Sequence, residues 1–310
     1  MVIGGLVTLY FTVIMEEEKV RRSQPTGSSL VSDESTEATA FWRSSLLSGV
    51  NFFKAGFAAH VYSRHTHDEY AIAFTERGTA TFTCRGAARL ALPGSFSLIN
   101  PDEPHSGRSA TGRGYTHRTM YVEPSALARL VDHDSAGLRS THLPLFGSPI
   151  VDDPGLAAEY LRLHRALETE SLGALEAESC MLAFLTVLVG RHADGRMSAA
   201  DSHHTPLVRS IQQYLEAHLH EDPSLSDLSE LTGVGRFALL RQFRREVGLP
   251  PHAYLTQVRL REARRQLRAG SSPALVAAEV GFVDQSHLIK RFRSAFGITP
   301  GQYVIANSPG

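Results

Sequence analysis

The sequence predicts two domains: an all-β, barrel-like N-terminal domain and an all-α C-terminal domain, joined by a helical linker. Three observations favour this fold class. Short, β-rich stretches separated by turn residues occupy residues 41–124, apolar residues recur at helical spacing from Pro154, and basic charge concentrates near the C-terminus. The 310 residues provide for about two domains of roughly 100–200 residues each.

Five stretches of the N-terminal part have β-rich or alternating composition: Ala55–Tyr62, Ala71–Glu76, Thr79–Arg85, Ser95–Asn100 and Arg118–Glu123. Turn residues such as Pro93-Gly94 and Asn100-Pro101 separate them. Many short strands at close spacing are typical of a barrel or a jelly roll. We therefore predict a β domain over residues 41–150.

The spacing of apolar residues changes over residues 151–192, where a helical hairpin is predicted. The residues at helical spacing are Leu156, Tyr160, Leu163, Leu167, Leu182, Leu185 and Leu188. Gly173 can separate two antiparallel helices. The apolar run Met181–Val189 is too short to cross a membrane, which takes about 20 residues. We expect this face to pack helix on helix, within or between chains, and to support a homodimer.

The linker before the C-terminal domain is polar, and the N-terminal extension has an unusual composition. Residues 193–205 form a polar linker in which His203-His204 are expected to be solvated. Val2–Met15 is nearly all apolar without a basic flank, which favours a mis-called start with Met15 as the first residue; an apolar arm and a short anchor are the alternatives. Residues 24–40 are rich in Ser, Thr and Glu and are expected to be disordered, so residues 1–40 are set apart as an extension.

Charge and cysteine content restrict the partners. Residues 206–310 hold 13 Lys+Arg against 9 Asp+Glu, a balance of +4, whereas residues 1–205 hold 18 against 23, a balance of −5. A basic C-terminal part suits a polyanion. Cys84 and Cys180 have no metal-ligand spacing, and no secretion signal is evident. A reducing cytoplasm is therefore the expected location, with no membrane partner.

The segment Ser224–Gly248 has the pattern of a helix-turn-helix unit. Ser224 or Ser226 can cap a short helix, Gly233 permits a tight turn, and a second helix begins near Gly235. If Leu239 and Phe243 face the core, the outward residues, predicted to bind DNA, are Arg236, Phe237, Leu240, Arg241 and Arg244. Phe237 and Leu240 either pack on the neighbouring helix or contact thymine methyl groups, while Arg241 can donate to guanine.

The segment Ser272–Gly297 repeats the pattern. Pro273 fits a first helical turn, Gly281 ends that helix, and Asp284 caps the next. With Leu288 and Phe292 inward, the outward residues, again predicted to bind DNA, are Gln285, Ser286, His287, Lys290 and Arg291. Gln285 suits adenine, Lys290 suits guanine, and Arg291 suits phosphate.

A long helix over Ala253–Arg268 separates the two units, with Leu255, Val258 and Leu267 predicted inward. Its arginines are expected on the outer faces. This helix can hold the two reading helices at a fixed separation. We predict that they enter two successive major-groove segments of double-stranded DNA, about one helical turn apart.

Residues 281–303, GFVDQSHLIKRFRSAFGITPGQY, resemble the C-terminal signature of the AraC/XylS family of bacterial regulators. The resemblance extends over residues 206–306. It implies a seven-helix DNA-binding domain, in which Phe237, Leu240, Arg241, Gln285, Ser286 and Lys290 are the base-reading candidates. Leu240 departs from the polar residue usual in the family. RNA polymerase is a further partner to be expected of such a regulator.

Residues 60–105 resemble the cupin-type effector-binding domain that often precedes this DNA-binding domain. The resemblance implies a small β-barrel whose mouth binds a small molecule. The candidate effector-binding residues are His65, His67, Glu69, Tyr70 and His105. His65 and His67 lie on one strand face because side chains alternate, and three histidines suffice for a divalent metal. Metal-binding cupins usually add a Glu where Ala71 or Ile72 stands here.

Three interpretations of the histidines stay open: bonding to a polar or anionic effector, metal binding, and a structural role. We favour the first and assign no metal, no cofactor and no catalytic residue. The expected function is an effector-responsive, sequence-specific transcription factor, activator or repressor. The rivals are a metal-dependent cupin enzyme fused to a DNA-binding domain, and a DNA binder that needs no ligand.

Overall fold

The computed structural model describes residues 38–131, 142–193, 195–198 and 204–307. The expectations for the apolar start, for the disorder of the extension up to residue 37, and for His203 in the linker lie outside these residues. None of the helices in the described ranges has the combination of length and apolar character that a bilayer crossing needs.

Twelve strands are described, and every pairing between them is antiparallel: β1 Ala38–Arg43, β2 Val50–Phe57, β3 Val61–His65, β4 Tyr70–Gly78, β5 Ala80–Cys84, β6 Ala87–Ala91, β7 Ser95–Ile99, β8 His105–Ser109, β9 Tyr115–Val122, β10 His142–Leu145, β11 Ile150–Asp152 and β12 Gly195–Ser198. One sheet has the order β1-β2-β9-β4-β7-β11, and a second has the order β3-β8-β5-β6. β10 and β12 form a separate pair.

The N-terminal domain is therefore confirmed as β-rich, but it also contains the helix Pro124–Val131, and its described strands form two sheets rather than a closed barrel. The alternation of β5 shows how the sequence positions them: Ala80, Phe82 and Cys84 are buried, and the residues between them are partly exposed. The single strand expected over Ala55–Tyr62 is wrong. The chain leaves one sheet after Phe57 and enters the other at Val61, so the segment is divided.

Three helices accompany the β domain: α1 Pro124–Val131, α2 Pro154–Glu168 and α3 Ala174–His192. The α2–α3 hairpin is confirmed, with the Asp153 side chain accepting from the Leu156 amide at the start of α2 and Gly173 preceding α3. Its apolar face, including Tyr160 and Phe184, packs in one cluster with Phe96 of the large sheet. The predicted helix-on-helix packing is thus present within the chain, between Tyr160 and Phe184, and the same face also packs against the large sheet.

Seven helices form the C-terminal helical domain: α4 Pro206–Ala217, α5 Leu225–Thr232, α6 Arg236–Val247, α7 Pro251–Arg268, α8 Pro273–Glu279, α9 Gln285–Phe296 and α10 Pro300–Asn307. Both helix-turn-helix units form where predicted. Ser224 caps α5 in a reciprocal pair with Asp227, and Asp284 caps α9. Gly233 and Gly281 take the left-handed conformation at the two turns, with φ of 68° and 86°.

One apolar cluster extends through both domains. Phe53 and Phe57 of β2 belong to the same buried cluster as Phe292 of α9 and Tyr303 of α10. Phe41 of β1 lies against Tyr303, with ring centroids 5.3 Å apart. The second helix-turn-helix unit is thus packed directly on the β domain.

Candidate functional site

The outward face of α6 is cationic and carries one bare aromatic ring. Arg236, Arg241 and Arg244 are exposed. Phe237 is 88% exposed, so it does not pack on a neighbouring helix, whereas Leu240 is half-buried and lines a groove between the two helix-turn-helix units. Leu239 and Phe243 are fully buried, as predicted.

The outward face of α9 is polar and basic. Gln285, Ser286, Lys290 and Arg291 are exposed. His287 is half-buried: its amide donates to the Asp284 carboxylate at 2.7 Å, and its Nε2 accepts from Arg291 Nε at 3.2 Å. His287 therefore braces the start of α9 and orients Arg291.

Helix α7 departs from the sequence expectation. Leu255, Val258 and Leu267 are buried as predicted. However, Arg259 is also buried and donates to the carbonyl oxygens of Leu219 and Glu221. A guanidinium group can be buried when its donors bond to carbonyl oxygens. The arginine-rich pattern of α7 therefore did not show which arginine points inward.

The other inward arginine of α7, Arg264, forms a bidentate ion pair with Glu69 of the β domain. Its Nη1 lies 3.1 Å from Glu69 Oε2, and its Nη2 contacts Oε1. The exposed fractions of the two side chains are 11% and 5%. Burial alone would raise the pKa of Glu69, but the charge and hydrogen bonds of Arg264 outweigh it and hold that pKa at about 2.

Aromatic rings surround the same guanidinium. Its central carbon lies 5.2 Å from the ring centroid of Phe296 and 5.7 Å from that of Tyr303, within the range of cation–π attraction. A small cavity opens beside it, with about 20 Å³ available to the centres of water-sized molecules. That is about the space of one water. The lining residues are Phe41, Phe53, His67, Tyr121, Arg264, Phe296, Ile298 and Tyr303.

Polar contacts extend this interface along α7. The Thr66 amide donates to Gln257 Oε1 at 3.3 Å, and Arg261 reaches Asp102 at 3.3 Å. At the end of α9, an added Cβ on Gly297 would come within 2.8 Å of the Tyr62 hydroxyl oxygen. The close approach of the two domains therefore needs a glycine at that position.

The structure brings together three of the five candidate effector residues. His65 and His105 are cross-strand partners of β3 and β8, and His67 lies in the β3–β4 connection. The ring centroids of His105 lie 4.3 Å from His65 and 4.8 Å from His67. All three side chains are buried. Burial, followed by the neighbouring His67 charge, lowers the pKa of His65 to about 3, and burial also lowers the pKa values of His67 and His105.

The remaining two candidates have different surroundings. Glu69 lies beside the histidines but is engaged by Arg264. Tyr70 lies in the opposite apolar cluster, where its hydroxyl donates to the Pro144 carbonyl at 2.7 Å. It is not part of the histidine cluster.

A β domain followed by two helix-turn-helix units is the architecture of a two-domain DNA-binding regulator. Residues 49–185 match the AraC-like ligand binding domain family, and residues 228–304 match a helix-turn-helix domain family. A helix-turn-helix transcriptional regulator of Bacillus subtilis, YbfI, is 32% identical over 227 residues, which cover 73% of this chain and 81% of YbfI. The transcriptional activator NphR of Rhodococcus is 31% identical, with coverage of 76% and 69%.

The chain therefore belongs to the AraC family of transcriptional regulators. It is a regulator with an N-terminal ligand-binding domain and a C-terminal helix-turn-helix DNA-binding domain. Its fold is similar to that of ToxT from Vibrio cholerae in its unsaturated fatty acid-bound crystal structure. That likeness has a TM-score of 0.52 at 12% identity and covers 87% of this chain and 97% of ToxT.

Sequence reasoning missed the interface residues Arg264, Tyr121, Phe296 and Tyr303. Glu69 and Arg264 lie 195 positions apart, so no local pattern connects them.

Proposed function

We propose that this regulator reads two neighbouring major-groove segments, one with α6 and one with α9. Phe237, Leu240 and Arg241 would meet base edges in the first segment, and Gln285, Ser286 and Lys290 in the second. Arg236, Arg244 and Arg291 would contact phosphates. The exposure of the charged residues and the 88% exposure of Phe237 support this assignment. The ring of Phe237 lies on the cationic face of α6, where it would meet thymine methyl groups.

The β domain would control this reading through the Glu69–Arg264 ion pair, which is the observation that carries the proposal. Arg264 lies between a carboxylate of the β domain and the aromatic ring of Phe296 at the C-terminal end of α9. A ligand that separates the pair releases the second reading unit from the β domain. Because a ligand shifts an equilibrium only through a difference in affinity for two states, a group that competes for Arg264 meets that requirement.

The chemistry of the interface favours an effector with an apolar body and an anionic group. Its cavity is lined mainly by aromatic side chains, with one guanidinium and one imidazole. At about 20 Å³ the cavity does not admit an organic molecule in this arrangement, so such an effector would bind an opened interface. Long-chain carboxylates are the first class to test, in line with the fatty acid named in the ToxT structure.

Mutation of the ion pair tests this control. We expect Arg264→Gln to change the affinity for operator DNA by at least about fivefold, the lower end of typical coupling between sites. Arg265→Gln is the matched control, since Arg265 is the next residue of α7 and its side chain is 70% exposed. Fluorescence anisotropy with a fixed DNA fragment gives both affinities. Equal affinities in the two variants would contradict control through Arg264.

Other partners belong to the same proposal. As a DNA-binding regulator of bacterial type, the protein would act in the cytoplasm and contact RNA polymerase. It would act as a homodimer. Since the apolar face of the α2–α3 hairpin is largely used within the chain, the dimer would use exposed hairpin residues such as Leu175, which is 79% exposed.

A further inference from the structure

We propose that His65, His67 and His105 bind one divalent transition-metal ion, Zn²⁺ being the best fit. We further infer that the bound ion fixes the segment of the β domain that contacts α7. This second part rests on the interface control proposed above. The histidine cluster thus becomes an inorganic effector site that adjoins the aromatic cavity beside Arg264, since His67 also lines that cavity.

Each imidazole is already held in the tautomer that a metal ligand needs. The Nδ1 atoms lie 2.8, 2.7 and 2.8 Å from the backbone carbonyl oxygens of Ser63, Glu69 and Glu103, for His65, His67 and His105 respectively. A carbonyl accepts only from a protonated Nδ1, so Nε2 of each neutral ring carries a lone pair. Metal-binding histidines commonly use this kind of outer hydrogen bond to fix the ring.

One nitrogen of the cluster has no partner. His67 Nε2 is buried and makes no hydrogen bond within the described part of the chain. Leaving a buried polar atom unpaired is costly. A cation bound between the three rings would give this nitrogen a partner.

The three histidine rings could hold a small cation after they move slightly toward one another. One ring nitrogen from each histidine lies within 4.8 Å of the others. Zn²⁺ with Zn–N distances of about 2.0–2.1 Å would place them roughly 3.3 Å apart, so they must approach by no more than about 1.5 Å. An all-imidazole donor set suits Zn²⁺, Cu²⁺, Fe²⁺ or Ni²⁺ and does not suit Mg²⁺ or Ca²⁺.

Within residues 65–69, the histidines that would bind the metal ion alternate with residues that contact α7. Thr66, between His65 and His67, donates its amide to Gln257 of α7, and Glu69, two residues after His67, pairs with Arg264. An ion that ties His65 and His67 to His105 fixes the backbone between them. The negative charges of Asp68 and Glu69 also offset the Arg264 cation on this side of the cluster.

Zn²⁺ titration of the full-length, metal-free protein tests the site. We expect one Zn²⁺ per chain by isothermal calorimetry, and a loss of affinity of more than about tenfold in His67→Gln and in His105→Gln. His220→Gln, at an exposed histidine outside the cluster, should bind like wild type. Circular dichroism checks that each variant is folded. If a variant is unfolded, Co²⁺ absorption and X-ray absorption of the wild type give the ligand set directly. No stoichiometric binding, or binding unchanged in both folded variants, would overturn the site.

A second measurement separates this inference from the interface proposal. Zn²⁺ should change the DNA affinity of wild type by at least about fivefold and leave that of His67→Gln unchanged. Stoichiometric Zn²⁺ without an effect on DNA affinity would retain the site and overturn its link to α7. Failure of the interface proposal alone would appear in metal-free protein, as equal DNA affinities of Arg264→Gln and Arg265→Gln.

Discussion

Replacing Arg264 by Gln should destabilise the folded protein far more than replacing its neighbour Arg265. The substitution removes the guanidinium but leaves the Glu69 carboxylate, 5% exposed, among buried groups. Of the remaining cations, Arg268 is the near one, with its Nη2 3.8 Å from Glu69 Oε1. A buried charge that loses its main partner is the costly half of a broken ion pair.

Two routes lead to the same magnitude. Removing one partner of a buried ion pair costs about 3–5 kcal/mol, and the residual contact with Arg268 places this case near about 3 kcal/mol. The pKa of Glu69 is lowered from 4.5 to about 2, a net result of its charged partners and the opposing effect of burial. It corresponds to about 3.5 kcal/mol at roughly 1.4 kcal/mol per unit. For a domain of this size each kcal/mol lowers Tm by about 2 °C, so we expect a decrease of about 6 °C.

Thermal and urea unfolding measure this cost. The proteins compared are wild type, Arg264→Gln, Arg265→Gln, Glu69→Gln and the Glu69→Gln/Arg264→Gln double variant. The double variant should lose less stability than the sum of its singles, because no unpaired charge remains. Additive losses, or equal Tm values for Arg264→Gln and Arg265→Gln, would refute the reasoning.

The acid dependence of stability should follow Glu69. The contribution of Glu69 to the free energy of unfolding is fully present above its unfolded pKa of about 4.5 and is lost as the pH falls toward the folded value of about 2. The difference in urea stability between wild type and Glu69→Gln should therefore shrink below about pH 4.5. A difference that stays constant with pH would contradict the assignment. Lys290→Ala should lose about 1–3 kcal/mol of binding and relax base preference at one operator position; equal weakening on all sequences in gel-shift titrations would make Lys290 a phosphate contact. Phe237→Ala should leave Tm within about 2 °C of wild type, since the ring is exposed, while weakening operator binding; unchanged affinity would refute methyl recognition.

Local patterns predicted most of the helical domain. The caps Ser224 and Asp284, the turns at Gly233 and Gly281 and the buried Leu239 and Phe243 all follow from short-range rules of helix ends and periodicity. Such signals lie within one or two helical turns of the residue concerned and need no knowledge of the partner domain.

The β domain could be predicted only in part. The alternation of β5 was visible in the sequence, but the strands β1, β6, β8, β10, β11 and β12 and the helix α1 were missed. The change of sheet between Phe57 and Val61 was not predicted either. Strand pairing depends on distant segments, and the sequence does not state which segment returns to which edge.

The candidate site was likewise predictable only in its local features. His65 and His67 were predicted to share one face of a strand, but β3 ends at His65 and His67 lies in the connection to β4. The two rings are neighbours because both lie against His105, the cross-strand partner of His65. The burial of Arg264 depends on the docking of the two domains, which no periodicity of α7 encodes. Its exposed neighbour Arg265 has the same residue type and a nearly identical sequence context.

Hydroxyl-radical footprinting on the DNA upstream of the protein's own coding sequence tests the central claim most directly. Two reading helices in successive major-groove segments predict two protected segments on one side of the duplex, about 10 base pairs apart. Lys290→Ala should weaken protection in one of them, and Arg241→Ala should weaken it in the other. A single protected segment, or equal loss in both segments with either variant, would contradict reading by two helices.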